Sequence, residues 1–311
     1  MSRCELTKIR KFPPYVVSGA RLTTEEDSAL RQYMLTALPQ LPVFCDGSQI
    51  DGFDSLVESH ISWAKERLAL SPQRRIPLKK KIKIYYQNEF IKLAEFFRKQ
   101  EGFRKPEGWA GSHIAHSNEI ILCDTYTIND LNHELVHSCA HKEIKITRKA
   151  SRNYTVLIVD VPHYGFFHND SFKGFNEAIT EMINVEILGF HTGRTGQNYS
   201  DGKIAYHEAV LFFDILLKNA AQKLGKDISA LLQQVYEGYY FGNEPNFIKH
   251  AFGEESYNVV ARIKPLDSLP TSAVSLEKQL GINYDEYLQK LARYEAGDTV
   301  SVLDNCKIQI K

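Results

Sequence analysis

Residues 127–141 read TINDLNHELVHSCAH. Thr127 followed by Asp130 is typical of a capping box, with Asp in place of the usual Glu, and predicts that a helix begins here and runs to about residue 141. Leu131, Leu135 and Val136 would give this helix an apolar face. The segment therefore predicts a central helix that is buried against the rest of the fold.

Within this helix, His133, Glu134 and His137 form an H-E-x-x-H sequence. Residues four apart lie on one face of a helix, so both imidazoles can bind a single zinc ion. Glu134 projects beside them, where its carboxylate can take a proton from the water that the metal activates. The alternative is a helix with two histidines and a solvated glutamate. Because the segment follows a helix start and has apolar flanks, we favour the zinc site.

A catalytic zinc site needs a third protein ligand, which leaves one position open for water. His141 continues the spacing of four, but a straight helix would separate it from His133 by about 12 Å, too far to share one ion. The segment GFNEAITE, residues 174–181, offers Glu177 and Glu181 on one face of a second helix. One carboxylate can bind zinc while the other orients a ligating histidine. Taken alone, these residues would favour a solvated acidic face, and it is their pairing with the upstream motif that makes us favour the metal site.

The H-E-x-x-H motif followed by N-E-x-x-x-[D/E] resembles the gluzincin metallopeptidases, whose thermolysin-like members carry a closely similar Asn-Glu-Ala-Ile segment. The resemblance covers about residues 112–190. It implies that His133, His137 and Glu177 are the zinc ligands and that Glu134 is the general base. Between His137 and Glu177 lie 39 residues, more than in thermolysin, so an insertion separates the two motifs and points to a divergent, bacterial-type group.

The resemblance also implies roles for the residues around the ligands. Glu181 stands where thermolysin has an aspartate and would orient His133, while Asn176 would support the other histidine. Such hydrolases stabilise the oxyanion with a Tyr, His or Arg side chain. We expect Tyr206 to do so, because it opens a long predicted helix downstream of Glu177. The alternatives are Tyr164, His163, His168, Tyr199 and His207.

The remaining patterns predict the architecture. We expect an α+β, zincin-like catalytic domain over residues 76–311, with a small sheet and the two motif helices in 76–190 and a helical subdomain in 191–311. Alternation predicts strands at Lys79–Gln87 and within 112–123, and a hairpin over about 145–161 that could join the same sheet. Residues 1–75 would form a smaller helical unit or extension, with one helix over about 23–38.

Composition narrows the classes of partner. The chain has 311 residues with 43% hydrophobic and 24% charged side chains and no formal net charge, so no global field attracts it to nucleic acid or membrane. Its five scattered cysteines favour a reducing compartment over a disulfide framework. We find neither a signal peptide nor a membrane helix and expect a cytoplasmic protein. Alternation within residues 79–84 explains Lys81 and Lys83 as the solvated face of a strand. The basic stretch that contains them could still bind nucleic acid, although we do not expect it to do so: Arg74, Arg75, Lys79, Lys80, Lys81 and Lys83.

These observations predict a monomeric zinc metallopeptidase with one zinc ion per chain, Glu134 as general base and a peptide or protein as substrate. The residues specify water activated by a metal rather than the bond that is attacked. Two alternatives therefore stay open: a hydrolase that acts on other bonds, and a binding or regulatory protein that keeps a zincin scaffold. A structural zinc site needs ligands but no general base, so Glu134 favours catalysis.

Overall fold

The computed structural model of the protein describes residues 10–11, 16–19, 41–101, 110–115, 117–150, 155–195, 206–264 and 280–296. These residues form a mixed α+β structure with small sheets, as the sequence predicts for the fold class. The predicted helix over residues 23–38 and the candidate Tyr199 lie outside the described residues. No helix in the described part of the chain is both long and apolar enough to span a bilayer.

The elements are numbered in chain order. The strands are β1 (Arg10–Lys11), β2 (Val16–Gly19), β3 (Val43–Asp46), β4 (Leu70–Ser71), β5 (Ile82–Tyr85), β6 (Gly111–Ile114), β7 (Glu119–Cys123), β8 (Lys142–Ala150), β9 (Thr155–Tyr164) and β10 (Phe167–His168). The helices are α1 (Phe53–Leu68), α2 (Gln87–Glu101), α3 (Ile128–Cys139), α4 (Lys173–Thr195), α5 (His207–Lys223), α6 (Ile228–Phe241), α7 (Asn246–Phe252), α8 (Glu254–Arg262) and α9 (Tyr284–Glu295).

The chain divides into two compact units. The first contains residues 1–61 and 69–164, and the second contains residues 62–68 and 165–311. These units are defined by contacts, and the predicted domain boundary between residues 75 and 76 stays a prediction.

The first unit contains a sheet in the order β3-β5-β7-β6. Strand β5 runs parallel to β7 and antiparallel to β3, while β6 and β7 form an antiparallel pair around a turn that includes Ser117 and Asn118. Every residue of β7 is buried, and helix α3 packs against both β6 and β7. A strand that is buried along its whole length tends to be a continuous apolar run, and β7 shows this in the four residues IILC that follow Glu119. This sheet is the support for α3.

The predicted hairpin exists, but it belongs to a separate sheet. Strands β8 and β9 pair antiparallel, and β8 also pairs in parallel with β2. The expectation that the hairpin could join the first sheet is therefore wrong. In this separate sheet, β2 is an edge strand and pairs with β8. The sequence analysis assigned β2 to a helical N-terminal unit or extension. Strand β3 likewise adds to the first sheet, so the described part of residues 1–75 supplies strands as well as helix α1.

The second unit is helical in its described residues apart from the short strand β10. Helix α5 buries apolar residues on both sides of Asp214, and α4 packs against α5, α6 and α8. Two buried polar clusters lie within this core. Lys290 donates to Asp214 at 2.7 Å, and Glu186 accepts bonds from Trp63 at 3.2 Å and from Tyr236 at 2.9 Å.

Candidate metal centre

Helix α3 begins with the predicted capping box. The Thr127 backbone N–H donates to Asp130 Oδ2 at 2.7 Å, and the Asp130 backbone N–H donates to Thr127 Oγ1 at 3.2 Å. Two backbone donors of the first helical turn are thereby satisfied. At the other end, the Ala140 N–H donates to the carbonyls of Val136 and His137. The cap fixes where the helix starts, and the helical spacing then fixes which face carries the histidines.

The three side chains of the H-E-x-x-H motif lie on α3 and are buried. His133, Glu134 and His137 are 6%, 8% and 6% exposed, so the solvated-face alternative for Glu134 does not hold. The two imidazoles meet edge to face with ring centroids 4.7 Å apart. This arrangement agrees with the prediction that both rings lie on one face of a helix.

Strand β6 runs close to Glu134. A Cβ atom built on Gly111 would lie 3.0 Å from Glu134 Cγ and 3.4 Å from Glu134 Oε1. It would also lie 2.9 Å from Cδ2 of Leu122, so the added atom has no room on either side. The absence of a side chain at Gly111 therefore creates the space that the Glu134 carboxylate occupies.

Helix α4, which carries Glu177, is fixed at its start by backbone bonds. The N–H of Phe172 donates to the Ala261 carbonyl at 2.7 Å, and the N–H of Gly174 donates to the Ile263 carbonyl at 2.9 Å. A Cβ atom on Gly174 would lie 2.7 Å from that same Ile263 oxygen. These contacts with the end of α8 anchor the start of α4, and Glu177, which is partly exposed, follows about one turn later.

One ligand atom from each of His133, His137 and Glu177 lies within 4.8 Å of the others, and the three can hold a metal ion. The donor atoms around a tetrahedral zinc ion are about 3.3 Å apart, a spacing that lies within this limit. Two imidazole nitrogens and one carboxylate oxygen are also a donor set that suits zinc. The residues present thus fit the metal that the motif implies.

Glu181 and Asn176 flank the ligand on α4. Glu181 is fully buried and accepts a hydrogen bond from the Asn184 amide at 3.0 Å. The side-chain oxygen of Asn176 accepts from the backbone N–H of Phe166 at 2.8 Å. Asn176 thus fastens the chain around residue 166 to α4. The predicted orientation of His133 by Glu181, and the support of His137 by Asn176, stay predictions.

The bond from Phe166 to Asn176 depends on Gly165. Its φ of +59° lies in the left-handed region that favours glycine. A Cβ atom there would collide with Asn176 Oδ1 and lie 2.7 Å from Cε2 of Tyr239. Conformation and space both select glycine at this position.

Sequence reasoning missed His113, which lies on β6. Its Nδ1 lies 2.8 Å from the hydroxyl oxygen of Tyr164, and the two rings stack with centroids 5.7 Å apart. The Tyr164 ring also stacks on the imidazole of His137, with centroids 5.4 Å apart and an interplanar angle of 24°. No local pattern reveals this contact, because His113 and Tyr164 are 51 residues apart.

The other candidates for oxyanion stabilisation have different surroundings. Tyr206 caps α5 with a φ of +53°, so it opens the long helix as predicted, and its catalytic role stays a prediction. His207 stacks on Tyr294, with ring centroids 4.7 Å apart. His163 packs edge to face against His141, and burial, reinforced by the positive charges of His163 and Arg75, lowers the pKa of His141 to about 4. His168 lies on β10 beside Asn169.

The basic stretch is engaged in contacts within the molecule. Residues 79–81 form a turn of 3-10 helix rather than the start of a strand, and Lys81 donates to the Ser117 carbonyl at 2.7 Å. Lys83 pairs with Glu119 at 3.2 Å. Arg75 is buried and donates to the Cys139 carbonyl at 2.8 Å. These contacts account for three of the basic side chains without a partner molecule.

Comparison of the chain with protein-family models, with curated proteins and with solved structures gives no match.

Proposed function

We propose that the protein is a zinc-dependent metallopeptidase of the zincin type. The observation that carries the proposal is the grouping of the ligand atoms of His133, His137 and Glu177 within 4.8 Å, with Glu134 on the same helix as both histidines. A structural site would need the ligands alone. The addition of an acidic group beside them supports a hydrolytic reaction.

The three ligands would hold one zinc ion and leave a coordination position open. When bound, zinc supplies a Lewis acid that polarises the scissile carbonyl and lowers the pKa of water. The protein's part is to hold the donors in place: α3, which begins at its cap, carries both imidazoles, and Glu177 lies about one turn after the anchored start of α4.

Glu134 would act as the general base. It takes the proton of the attacking water and passes it to the nitrogen of the leaving amine, so that one carboxylate serves both halves of the hydrolysis. Its burial against Gly111 restricts the rotamers of the carboxylate. A restricted base loses less entropy when the reacting groups align. Tyr206 remains our proposed donor to the oxyanion.

The sheet favours a peptide over other substrates. Strand β6 is the last strand in the order β3-β5-β7-β6 and runs beside Glu134. Within the described residues of this sheet, β6 pairs on one side alone. An extended peptide can add to such an edge through main-chain hydrogen bonds, which recognise backbone rather than a particular side chain. A substrate held there would lie next to the proposed base.

The metal is tested first. We expect purified wild-type protein to contain about one equivalent of zinc, and His137→Ala to lose it, because two ligands bind zinc far more weakly than three. The exposed His250 provides a matched control, and His250→Ala should keep the metal. Elemental analysis of the three proteins decides the matter. Equal zinc in wild type and His137→Ala would show that the motif does not bind metal.

The base is tested with Glu134→Gln, which keeps the shape of the side chain and removes its proton acceptor. We expect this variant to retain zinc and to lose at least about a hundredfold in the rate of hydrolysis of casein or of a peptide library. Glu66→Gln, at an exposed position of α1, is the control and should retain the wild-type rate.

Three outcomes would replace the proposal. Full activity in Glu134→Gln would remove this residue as the base. A wild-type protein that binds zinc and hydrolyses esters or other amides, but no peptide, would be a zinc hydrolase of another class. A wild-type protein that binds zinc and hydrolyses nothing would favour the binding or regulatory function.

A further inference from the structure

A series of polar side chains leads through the first unit to the ring of His137. Lys142 Nζ donates to Asn118 Oδ1 at 2.7 Å and lies 3.2 Å from His113 Nε2. His113 Nε2 is also 3.0 Å from Asn118 Oδ1, and His113 Nδ1 is 2.8 Å from the hydroxyl oxygen of Tyr164. The register of the second sheet places Lys142 directly opposite Tyr164. We call Asn118, Lys142, His113 and Tyr164 the relay set.

The orientation of the first member is fixed. The Asn118 side-chain nitrogen donates to the Arg75 carbonyl at 2.8 Å, so its oxygen must face Lys142 and His113. Asn118 has a φ of +53°, a left-handed conformation that Asn adopts more readily than most residues. The backbone turn and the amide contacts thus require the same residue, and they anchor one end of the relay set on the turn between β6 and β7.

Burying the relay set costs free energy that burying apolar side chains in the same place would not cost. Lys142 is 1% exposed. Burial, together with the positive charges of Arg75 and Lys81 against a partly offsetting Cys139, holds the pKa of Lys142 well below its ordinary value. Burying such a group is unfavourable unless its hydrogen bonds are made, and polar networks in a core fix geometry at the expense of stability. An arrangement that is costly, yet in which every member makes at least one hydrogen bond to another, suggests that the fixed geometry is used.

The geometry is delivered to a metal ligand. The Tyr164 ring stacks both on His113 and on His137, and its hydroxyl is fastened by His113. A phenol held at its oxygen cannot tilt freely, so its ring provides a fixed surface for the imidazole of His137. Groups that orient ligating histidines are worth about 10- to 100-fold in metal affinity or activity.

We propose that His113 is a positioning residue for the metal centre, which anchors the Tyr164 hydroxyl so that the Tyr164 ring holds the imidazole of His137 in its ligating orientation. The inference rests on the metal-binding part of the proposed function and not on the bond that is hydrolysed. His113 acts through Tyr164 and would not itself touch the metal or the substrate.

Zinc affinity tests the proposal directly. The dissociation constant of zinc is measured by competition with a chromophoric chelator for wild type, His113→Ala, Tyr164→Phe and the double variant. We expect each single variant to weaken zinc binding about tenfold. The double variant should bind zinc no less tightly than the single variant with the larger loss, because both changes break the same hydrogen bond.

Two further variants separate positioning from a general loss of stability. His113→Asn places an amide nitrogen near the position of Nδ1 and should restore affinity to within about threefold of wild type. Tyr236→Phe removes a buried hydroxyl that bonds to Glu186 in the second unit, and it should lower the thermal midpoint of the metal-free protein without changing zinc affinity. If His113→Ala fails to fold, Tyr164→Phe against Tyr236→Phe decides the question.

The outcomes distinguish this proposal from the wider one. Zinc affinities equal to wild type in His113→Ala and Tyr164→Phe, with binding abolished in His137→Ala, would overturn the positioning role and leave the metal centre intact. Additive losses in the double variant would likewise contradict a shared mechanism. Zinc binding that depends on His113 in a protein without peptidase activity would support the positioning role and reject the metallopeptidase.

Discussion

Gly111 is the residue whose lack of a side chain most directly affects the proposed base. Its replacement by Ala would insert a Cβ atom 3.0 Å from Glu134 Cγ and 2.9 Å from Leu122. Because Leu122 is fully buried, the Glu134 side chain must move. A displacement of a catalytic group by about 1 Å can cost about a hundredfold in rate. We therefore expect Gly111→Ala to bind zinc normally and to hydrolyse peptides about 10- to 100-fold more slowly.

The control for this prediction is Gly189→Ala. Gly189 lies within α4, and a Cβ atom there would meet no atom within 4 Å. Alanine is favoured over glycine inside a helix by about 1 kcal/mol, so this variant should be slightly more stable and equally active. Steady-state rates of both variants, with zinc content measured on the same preparations, provide the comparison. An unimpaired Gly111→Ala enzyme would show that Glu134 has room to adjust.

At the scale of single residues, local spacing explains which site residues the sequence could predict. His133 and His137 follow from helical periodicity, and Glu177 was reached through the resemblance of its own helix to a known motif. His113 could not be found in this way, since a single histidine in a short strand has no periodic partner. Its contact with Tyr164 joins β6 to the end of β9, and these two strands belong to different sheets. A side-chain contact between strands of different sheets leaves little trace in local composition.

At the scale of elements, α3 depends on its N-terminal cap. Replacing Thr127 by Ala removes the acceptor for the Asp130 N–H, and such losses cost about 1 kcal/mol. We expect Thr127→Ala to lower the free energy of unfolding of the metal-free protein by about this amount, measured by urea denaturation. Thr127→Ser keeps the hydroxyl and should behave as wild type. Equal stability in all three proteins would mean that the first turn of α3 is held by packing alone.

The ends of elements were less predictable than their existence. Alternation suggested a strand over Lys79–Gln87, whereas β5 covers Ile82–Tyr85 after a 3-10 turn at residues 79–81. Pro77 precedes that turn, and a run of three lysines gives no signal of where extended structure begins. The hairpin of β8 and β9 was found within a few residues, because β-branched side chains cluster on both sides of its turn.

For the whole molecule, the sequence predicted the mixture of helices and sheets, but it did not predict which strands pair with one another. The first unit joins residues from both sides of the predicted boundary at residue 76: β2 pairs with β8, and β3 pairs with β5. A parallel pair such as β2 and β8 needs a long connection, so nothing near either strand announces the partner. The boundary itself stays a prediction, but strand pairing continues across the proline-rich loop from which it was inferred.

The constraint at Gly165 has a practical consequence for finding relatives in genomes. Gly165 adopts a left-handed backbone, and the N–H of Phe166 donates to the side chain of Asn176, which precedes the ligand Glu177. Tyr164 stacks on the ligand His137. We therefore expect relatives that keep the metal ligands to keep these residues as well. A search pattern of H-E-x-x-H, then Tyr-Gly-Phe, then Asn-Glu beginning ten residues after that phenylalanine combines all of them. Such a pattern is far rarer by chance than the five-residue motif alone. A search with this pattern would find chains that share the geometry of the site even where the rest of their sequence is too different to align.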